Sequence, residues 1–296
     1  MADEIARIGL AAKRGLTAAS SVLAELAGWL DAHGVQVVFE TDTARLAGVP
    51  SDRRTVSRET LSSECDVIVV LGGDGTLIGI ADLIARAGSD VPILGVNFGS
   101  LGFLTEITLP ELYDALEATL DGSAQIETRA MLSAYTMRDN APFAQHIVLN
   151  DVVITKGAMA RIIEIAVEVN LETVTHVRAD GLIIASPTGS TAYNLGAGGP
   201  IVHPAVNAML LTPIAAHTLT NRPIVIPASS EVHLAPIMEA DDEVFVTFDG
   251  QSGFPLRPGD RVNVRRAPRA LRIVKSLQRS YFELLREKLK WGGDNR

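Results

Sequence analysis

The stretch Asp66-Val-Ile-Val-Val-Leu-Gly-Gly-Asp-Gly-Thr-Leu77 constrains the fold of this chain more than any other. Val67 to Leu71 is a continuous apolar run, short and without polar alternation, the pattern of a strand buried in a parallel sheet. Gly72, Gly73 and Gly75 then surround one acid, Asp74, ahead of a helical pattern from Leu77 to about Ala87. Strand, glycine turn and helix together bring backbone N–H groups and the positive end of a helix close to a phosphate. Glycine at these positions permits positive φ and leaves room for a ligand. A plain phosphate cradle needs no acid at its centre, so Asp74 points to proton removal or metal binding. A tight turn carrying an exposed Asp is the plainer alternative.

The flanking segments repeat this layout. Residues 4–12 read as a first strand. Residues 18–33 carry Val22, Leu23, Leu26 and Leu30 at helical spacing, with Gly34 as a stop, and residues 35–40 read as a second strand. Residues 41–63 are polar, include Arg45, Arg53, Arg54 and Arg58, and read as loop. Residues 91–97 form a further strand, followed by a second glycine-rich turn, Phe98-Gly-Ser-Leu-Gly-Phe103. Thr108-Leu-Pro-Glu111 is a capping-box start for a helix to about Leu120, ended by Gly122. The alternation predicts a Rossmann-like α/β domain over residues 1–123, a parallel sheet with helices on both faces. Ligands of such sheets bind beyond the carboxyl ends of the strands, where Asp74 and Asn97 both fall.

Beyond about residue 123 strands succeed one another, at 125–138, 145–155, 161–170, 173–186, 223–235, 243–249 and 261–275. Asp139-Asn-Ala-Pro142 marks a turn between two of them. This predicts an all-β, sandwich-type domain over residues 124–275, interrupted at 188–222 by a Gly/Ser/Thr-rich stretch with a short helix. Residues 277–291 place Tyr281, Leu284, Leu285 and Leu289 on one face, so 276–296 is expected to hold a helix packing back on the first domain. The fold class is two-domain α+β.

Composition narrows the function. With 47% hydrophobic and 21% charged residues in 296, a substantial core is expected. No apolar run reaches the roughly 18 residues of a membrane span, and the N-terminus lacks a signal-peptide pattern. The single cysteine, Cys65, excludes an internal disulfide, fits a cytoplasmic protein and reads as packing. A net charge of −9 argues against nucleic-acid binding and requires local cations or a metal for any polyanionic substrate.

Two more clusters carry polar chemistry. Asn150-Asp151 ends one apolar run and opens another, and paired donors and acceptors there suit a ribose diol; an Asx turn is the alternative. In His176-Val-Arg-Ala-Asp-Gly-Leu182, Arg178 and Asp180 alternate along a predicted strand and so share a face. The following Ser186-Pro-Thr-Gly-Ser-Thr-Ala-Tyr193 is a hydroxyl-rich turn in which Tyr193 can stack or donate. It is not a nucleophile elbow, because residue 192 is Ala. The six histidines, His203, His217 and His233 among them, show no metal-ligand spacing, so any metal would be a hard Mg²⁺ on carboxylates and substrate phosphates. Gln251 follows a turn signal, Phe248-Asp-Gly250, and reads as a hairpin tip.

Together these segments resemble the NAD kinase family. The matching motifs are Gly72-Gly-Asp-Gly-Thr76, Asn97-Phe-Gly-Ser-Leu-Gly-Phe103, Asn150-Asp151, Asp180-Gly-Leu182 with Pro187-Thr-Gly-Ser-Thr-Ala-Tyr193, and the tail Leu285-Arg-Glu-Lys-Leu-Lys-Trp-Gly292. The first is shared with phosphofructokinases and diacylglycerol-type lipid kinases; the combination is far more specific. The resemblance implies that NAD binds between the domains and that ATP, with Mg²⁺ or another divalent ion, phosphorylates the 2′-hydroxyl of its adenosine ribose. It implies Asp74 as general base, the glycine turn of Gly72, Gly73 and Gly75 on the phosphates, and Thr76, Asn97 and Phe98 among the nucleotide-binding residues. Asn150 and Asp151 would hold a ribose or the adenine edge, Arg161 and Arg178 a phosphate or the nicotinamide ribose, and Asp180 the nicotinamide side. Thr191, Ala192, Tyr193, Asn194 and Gln251 would serve the adenosine side. Gly79 stands where some relatives carry a cation. A homodimer or homotetramer, without nucleic-acid or membrane partners, is also implied. A lipid kinase is the other enzymatic reading, but the chain shows neither a basic amphipathic helix nor a lipidation signal. A non-catalytic nicotinamide-nucleotide sensor is the non-enzymatic one, and the presence of Asp74 argues against it.

Overall fold

The structure is a computed structural model describing residues 5–157, 161–218 and 220–291. Glu4, where the first predicted strand begins, and Gly292, which ends the C-terminal motif, lie outside the described residues. The described residues form two compact units, one made of those up to Thr128 and from Leu271 onward, the other of Arg129–Ala270.

The first unit opens with β1 (Arg7–Ala12), α1 (Ser20–Ala32), β2 (Gln36–Glu40), α2 (Thr41–Ala47), β3 (Thr55–Val56) and α3 (Leu61–Glu64). It continues with β4 (Val67–Gly72), α4 (Asp74–Ala87), β5 (Ile93–Asn97) and α5 (Leu112–Leu120). The strands are parallel in the order β3-β2-β1-β4-β5. Every residue of β4 is buried, which is why its sequence is apolar without alternation. Leu10, Phe39, Val69 and Val96 of the strands pack with Leu23, Leu26 and Leu30 of α1 and Leu116 of α5. Cys65 is buried against this sheet and donates from Sγ to Leu61 O at 3.0 Å; burial pushes its thiol up to about 12, so it is inert packing.

Two expectations change here. Residues 41–63 are not simply loop, for they hold α2, β3 and α3. The signal for α2 was hidden in an acid: the Glu40 carboxylate accepts from Asp42 N and Thr43 N at 3.1 and 2.9 Å and caps the helix. α4 begins at Asp74, three residues before the apolar periodicity starts at Leu77, because its first turn carries Asp, Gly and Thr rather than apolar side chains.

The second unit contains β6 (Ile126–Arg138, from its fourth residue), β7 (Ala141–Val148), β8 (Asp151–Lys156), β9 (Ile163–Val169), β10 (Glu172–Ala179) and β11 (Gly181–Ala185). After α6 (Tyr193–Gly196) come β12 (Ala208–Ile214), β13 (Ile224–Pro227), β14 (Glu231–Ile237), β15 (Val244–Phe248), β16 (Ser252–Pro255) and most of β17 (Arg261–Val274). One antiparallel sheet runs β13-β12-β11-β8-β15-β16; another runs β10-β9-β14-β17, with β6 joining β17 and β7. Ile154, Leu182, Leu211 and Val246 from the first sheet share a core with Ile165, Val167, Val232 and Val262 from the second. The first sheet is also covered on its other face, where Val153, Ile183, Ala185 and Leu210 pack with Ala197 and Val202. Its central strands therefore carry unbroken apolar runs, at residues 152–154, 182–185 and 208–211, whereas β9 and β14 alternate.

The predicted run 173–186 is two strands broken at Asp180, so Arg178 and Asp180 do not share the face of one strand. Likewise 145–155 breaks at residues 149–150 and 223–235 at 228–230. β12 and β16 fall where no strand was expected; Pro213 in β12 obscures the pattern of the first. The last helix, α7 (Tyr281–Leu289), belongs to the first unit and buries Tyr281, Leu284 and Leu285, while Leu289 is only partly covered. Among the described residues no helix is long and apolar enough to cross a membrane.

Candidate functional site

In the first unit Asp74 and Asn97 stand at neighbouring strand ends, since Gly72 pairs with Asn97. Both turn toward the loop that follows β5. Asp74 Oδ1 accepts from Leu104 N (3.1 Å), Thr105 N (3.0 Å) and Thr105 Oγ1 (3.0 Å), and Oδ2 accepts from Phe103 N (2.8 Å). Asn97, only 7% exposed, donates from Nδ2 to Ser100 O and Thr105 Oγ1 at 2.8 and 3.1 Å and accepts from Gly99 N at 2.7 Å. A Cβ on Gly102 would lie 2.0 Å from Asp74 Oδ1, so glycine at 102 is what lets the carboxylate seat. Phe98 packs its ring on the core and donates its N–H to Gly72 O. Gly73 and Thr76 are half-buried and Gly75 is exposed at the start of α4, whose dipole favours an anion.

In the second unit three strand ends converge. Asp151 pairs with Ala185 at the end of β11, and Val152 pairs with Phe248 at the end of β15. The Asn150–Asp151 pair, the 186–194 turn and the hairpin tip carrying Gln251 thus share one end of this sheet. Asp151 is 4% exposed, and among the described residues no donor reaches its carboxylate. Burial, and next the charge of Asp249, push it up to about 7. A buried carboxyl group without a partner is costly alone and suits a ligand that brings hydroxyls. Tyr193 is 49% exposed at the start of α6; Thr191 and Ala192 are half-buried in the turn before it, and Gln251 is exposed. Asn194 has a different role from the one expected. It is fully buried, donates to Ser190 O and Pro200 O at 3.1 Å each and accepts from Thr212 Oγ1 at 2.6 Å, so it braces the turn from inside.

Arg178 and Asp180 lie at the other end of β11, roughly 15 Å along the strand from Asp151. Asp180 meets Lys156 Nζ at 3.6 Å, and the exposed Arg178 is 3.9 Å from Glu164. Arg161 is exposed ahead of β9. Within one chain the structure does not bring these residues to the Asn150–Asp151 cluster. A cavity of about 310 Å³ lined by Val167, Val177, Leu211 and Asn221, and one of about 200 Å³ beside Lys13 and Asp42, include none of the predicted site residues. Sequence reasoning missed Thr105, whose hydroxyl joins the Asp74 and Asn97 side chains, and Ser186 and Asp249, which bond backbone; Ser186 was noted only within a hydroxyl-rich turn and Asp249-Gly250 only as a turn signal. Among the described residues no three His, Cys, Asp or Glu side chains gather to hold a metal.

The chain matches the family models for the ATP-NAD kinase N-terminal domain over residues 8–124 and the ATP-NAD kinase C-terminal domain over residues 149–276. It is 51% identical to the NAD kinase of Geobacter sulfurreducens, over 92% of this chain and 93% of that protein. It is 45% identical to the NAD kinase of Geobacter sp. strain M21, over 97% and 99%. Among solved structures its fold is similar to yeast NADH kinase complexed with NADH, at TM-score 0.89 and 23% identity over 100% of this chain and 90% of that one. It is also similar in fold to an NAD kinase from Archaeoglobus fulgidus in complex with ATP, at TM-score 0.74 and 24% identity over 95% and 99%.

Proposed function

Since the chain belongs to the NAD kinase family, we propose that it transfers the γ-phosphoryl group of ATP to the 2′-hydroxyl of the adenosine ribose of NAD, giving NADP. The observation that supports this best is the seating of Asp74. Among the described residues Oδ1 accepts from three donors, while Oδ2 accepts from one and keeps a lone pair. A carboxylate locked in this way is placed to take the proton of a sugar hydroxyl at Oδ2 as the oxygen attacks phosphorus. Gly72, Gly73, Gly75, Thr76, Asn97 and Phe98 shape the phosphate end, with the N-terminus of α4 offering N–H donors. Phosphoryl transfer depends mainly on such alignment and charge stabilisation.

In the second unit, Asn150 and Asp151 meet a ribose diol, and Thr191, Ala192, Tyr193 and Gln251 the adenosine. Arg161, Arg178 and Asp180 serve the nicotinamide side. A divalent ion arrives with the ATP phosphates as part of the donor substrate. The enzyme acts in the cytoplasm as a homodimer or homotetramer. Val174, Ile224 and Val225, exposed on the edge strands β10 and β13, are the surface that assembly would cover.

Incubation with NAD, ATP and Mg²⁺ tests the reaction. NADP should form, and its absence alongside phosphorylation of a diacylglycerol, or alongside nucleotide binding without turnover, would favour a lipid kinase or a sensor instead.

A further inference from the structure

Asp249 sits at the tip of the β15–β16 hairpin with φ 52°, beside Gly250 at 63°. This left-handed turn aims its carboxylate back at the start of β8. Oδ1 accepts from Asn150 N at 2.7 Å and Asp151 N at 3.0 Å, and Oδ2 accepts from Leu149 N at 2.8 Å. The Asp249 N–H donates to Asp151 O at 2.9 Å. Ser186 completes the grip, donating from N to Asn150 O at 2.8 Å and from Oγ to Leu149 O at 2.5 Å. All six backbone polar groups of residues 149–151 are therefore held by Asp249 and Ser186. Gly189 passes so close that a Cβ there would stand 2.2 Å from Asn150 O, so this backbone has nowhere to move on that side.

We propose that Asp249 is a positioning residue for nucleotide binding, fixing the backbone of residues 149–151 so that the Asn150 and Asp151 side chains present one geometry to the ribose. This rests on Asn150 and Asp151 being nucleotide contacts, as set out above. A charged acceptor is what three peptide N–H groups at once require, since charge-assisted bonds are shorter and stronger than neutral ones. The same charge has a second effect. It faces the buried Asp151 carboxyl and, after burial, is the group that raises it. Asp249 therefore fixes where Asp151 stands and adds to the rise that burial already imposes on its carboxyl.

Steady-state kinetics on Asp249→Asn and Asp249→Ser, beside Asn150→Ala and Asp151→Asn, test this. An Asn amide turns an NH₂ toward peptide donors, so KM for NAD should rise about tenfold while KM for ATP stays unchanged. Loss of the neighbouring charge should also move the Asp151 limb of the kcat/KM profile for NAD to lower pH, a change that weakened folding with an unaltered profile would not give. If Asn150→Ala weakens NAD binding but both Asp249 variants keep KM for NAD within about twofold and the limb in place, the positioning role is wrong. If Asn150→Ala and Asp151→Asn leave KM for NAD unchanged, the contact assignment itself fails and this proposal with it. Should Asp249→Asn not fold, Asp249→Ser, which keeps one acceptor in the turn, gives the same two readings.

Discussion

At Asp74 the same atoms serve structure and chemistry. Its carboxylate anchors the loop after β5 through four donors, so replacing it acts on both roles. Asp74→Asn should lower kcat by about 10² to 10⁴-fold, the usual worth of a general base, while isothermal titration finds NAD affinity largely kept. Gly102→Ala isolates the positioning part: the added Cβ would stand 2.0 Å from Oδ1 and push the carboxylate aside. A loss in kcat of about tenfold or more is expected, because small misplacement of a reacting group is costly, together with a lower melting temperature as the bonds holding the loop are disturbed. Asp151 offers a pH signature. Its carboxyl is raised from an ordinary 3.8 to about 7, so the folded state holds a proton that the unfolded chain releases, and stability falls as pH rises through that window. Asp151→Asn lacks this loss, so its melting temperature should gain on the parent between pH 5 and pH 8, at the cost of NAD binding. Asp74 and the Asn150–Asp151 pair were legible because their side chains interrupt apolar runs. Thr105 and Asp249 were not, because each acts on partners 31 and 98 residues away, respectively, which no local pattern reports.

At the level of elements, capping was the clearest sequence signal and the best guide to strength. The Thr108–Glu111 capping box is present, and it does more than start a helix. Glu111 is buried, and both its oxygens lie 2.9 Å from Arg279 Nη1, tying the approach to α7 into the first unit. Burial alone would raise this carboxyl, but bonds from Thr108 and Arg279 prevail and lower it. Its stabilisation is thus present above the unfolded carboxylate value and lost as pH falls through the lowered one. Glu111→Ala should destabilise by about 3 kcal/mol at pH 7 in denaturant melts and by clearly less at pH 3. Strands were harder to read than caps. β12 carries Pro213 and follows a glycine-rich stretch, so its apolar run looked interrupted, although it pairs along its length with β11. β16 is four residues at a sheet edge and shows no periodicity to detect. The break at Asp180 was invisible because the alternation of β10 runs up to it and the apolar run of β11 follows at once.

For the molecule as a whole, the change from alternating elements to successive strands near residue 123 was readable because parallel and antiparallel sheets demand different patterns. What no local pattern conveys is the path of the chain, which leaves the first unit at Thr128 and re-enters it at Leu271. Vectorial synthesis makes that path matter. A ribosome finishes every part of the second unit while the first still lacks Ile273, which pairs with Ile93 on the open side of β5, and the helix tethered by Arg279. The N-terminal half must wait, with the Ile93 end of β5 unpaired on that side, until residues from Leu271 onward emerge. In nascent chains of increasing length, a protease-resistant fragment from the middle of the sequence should appear before any from its beginning, so the order of maturation runs against the order of translation.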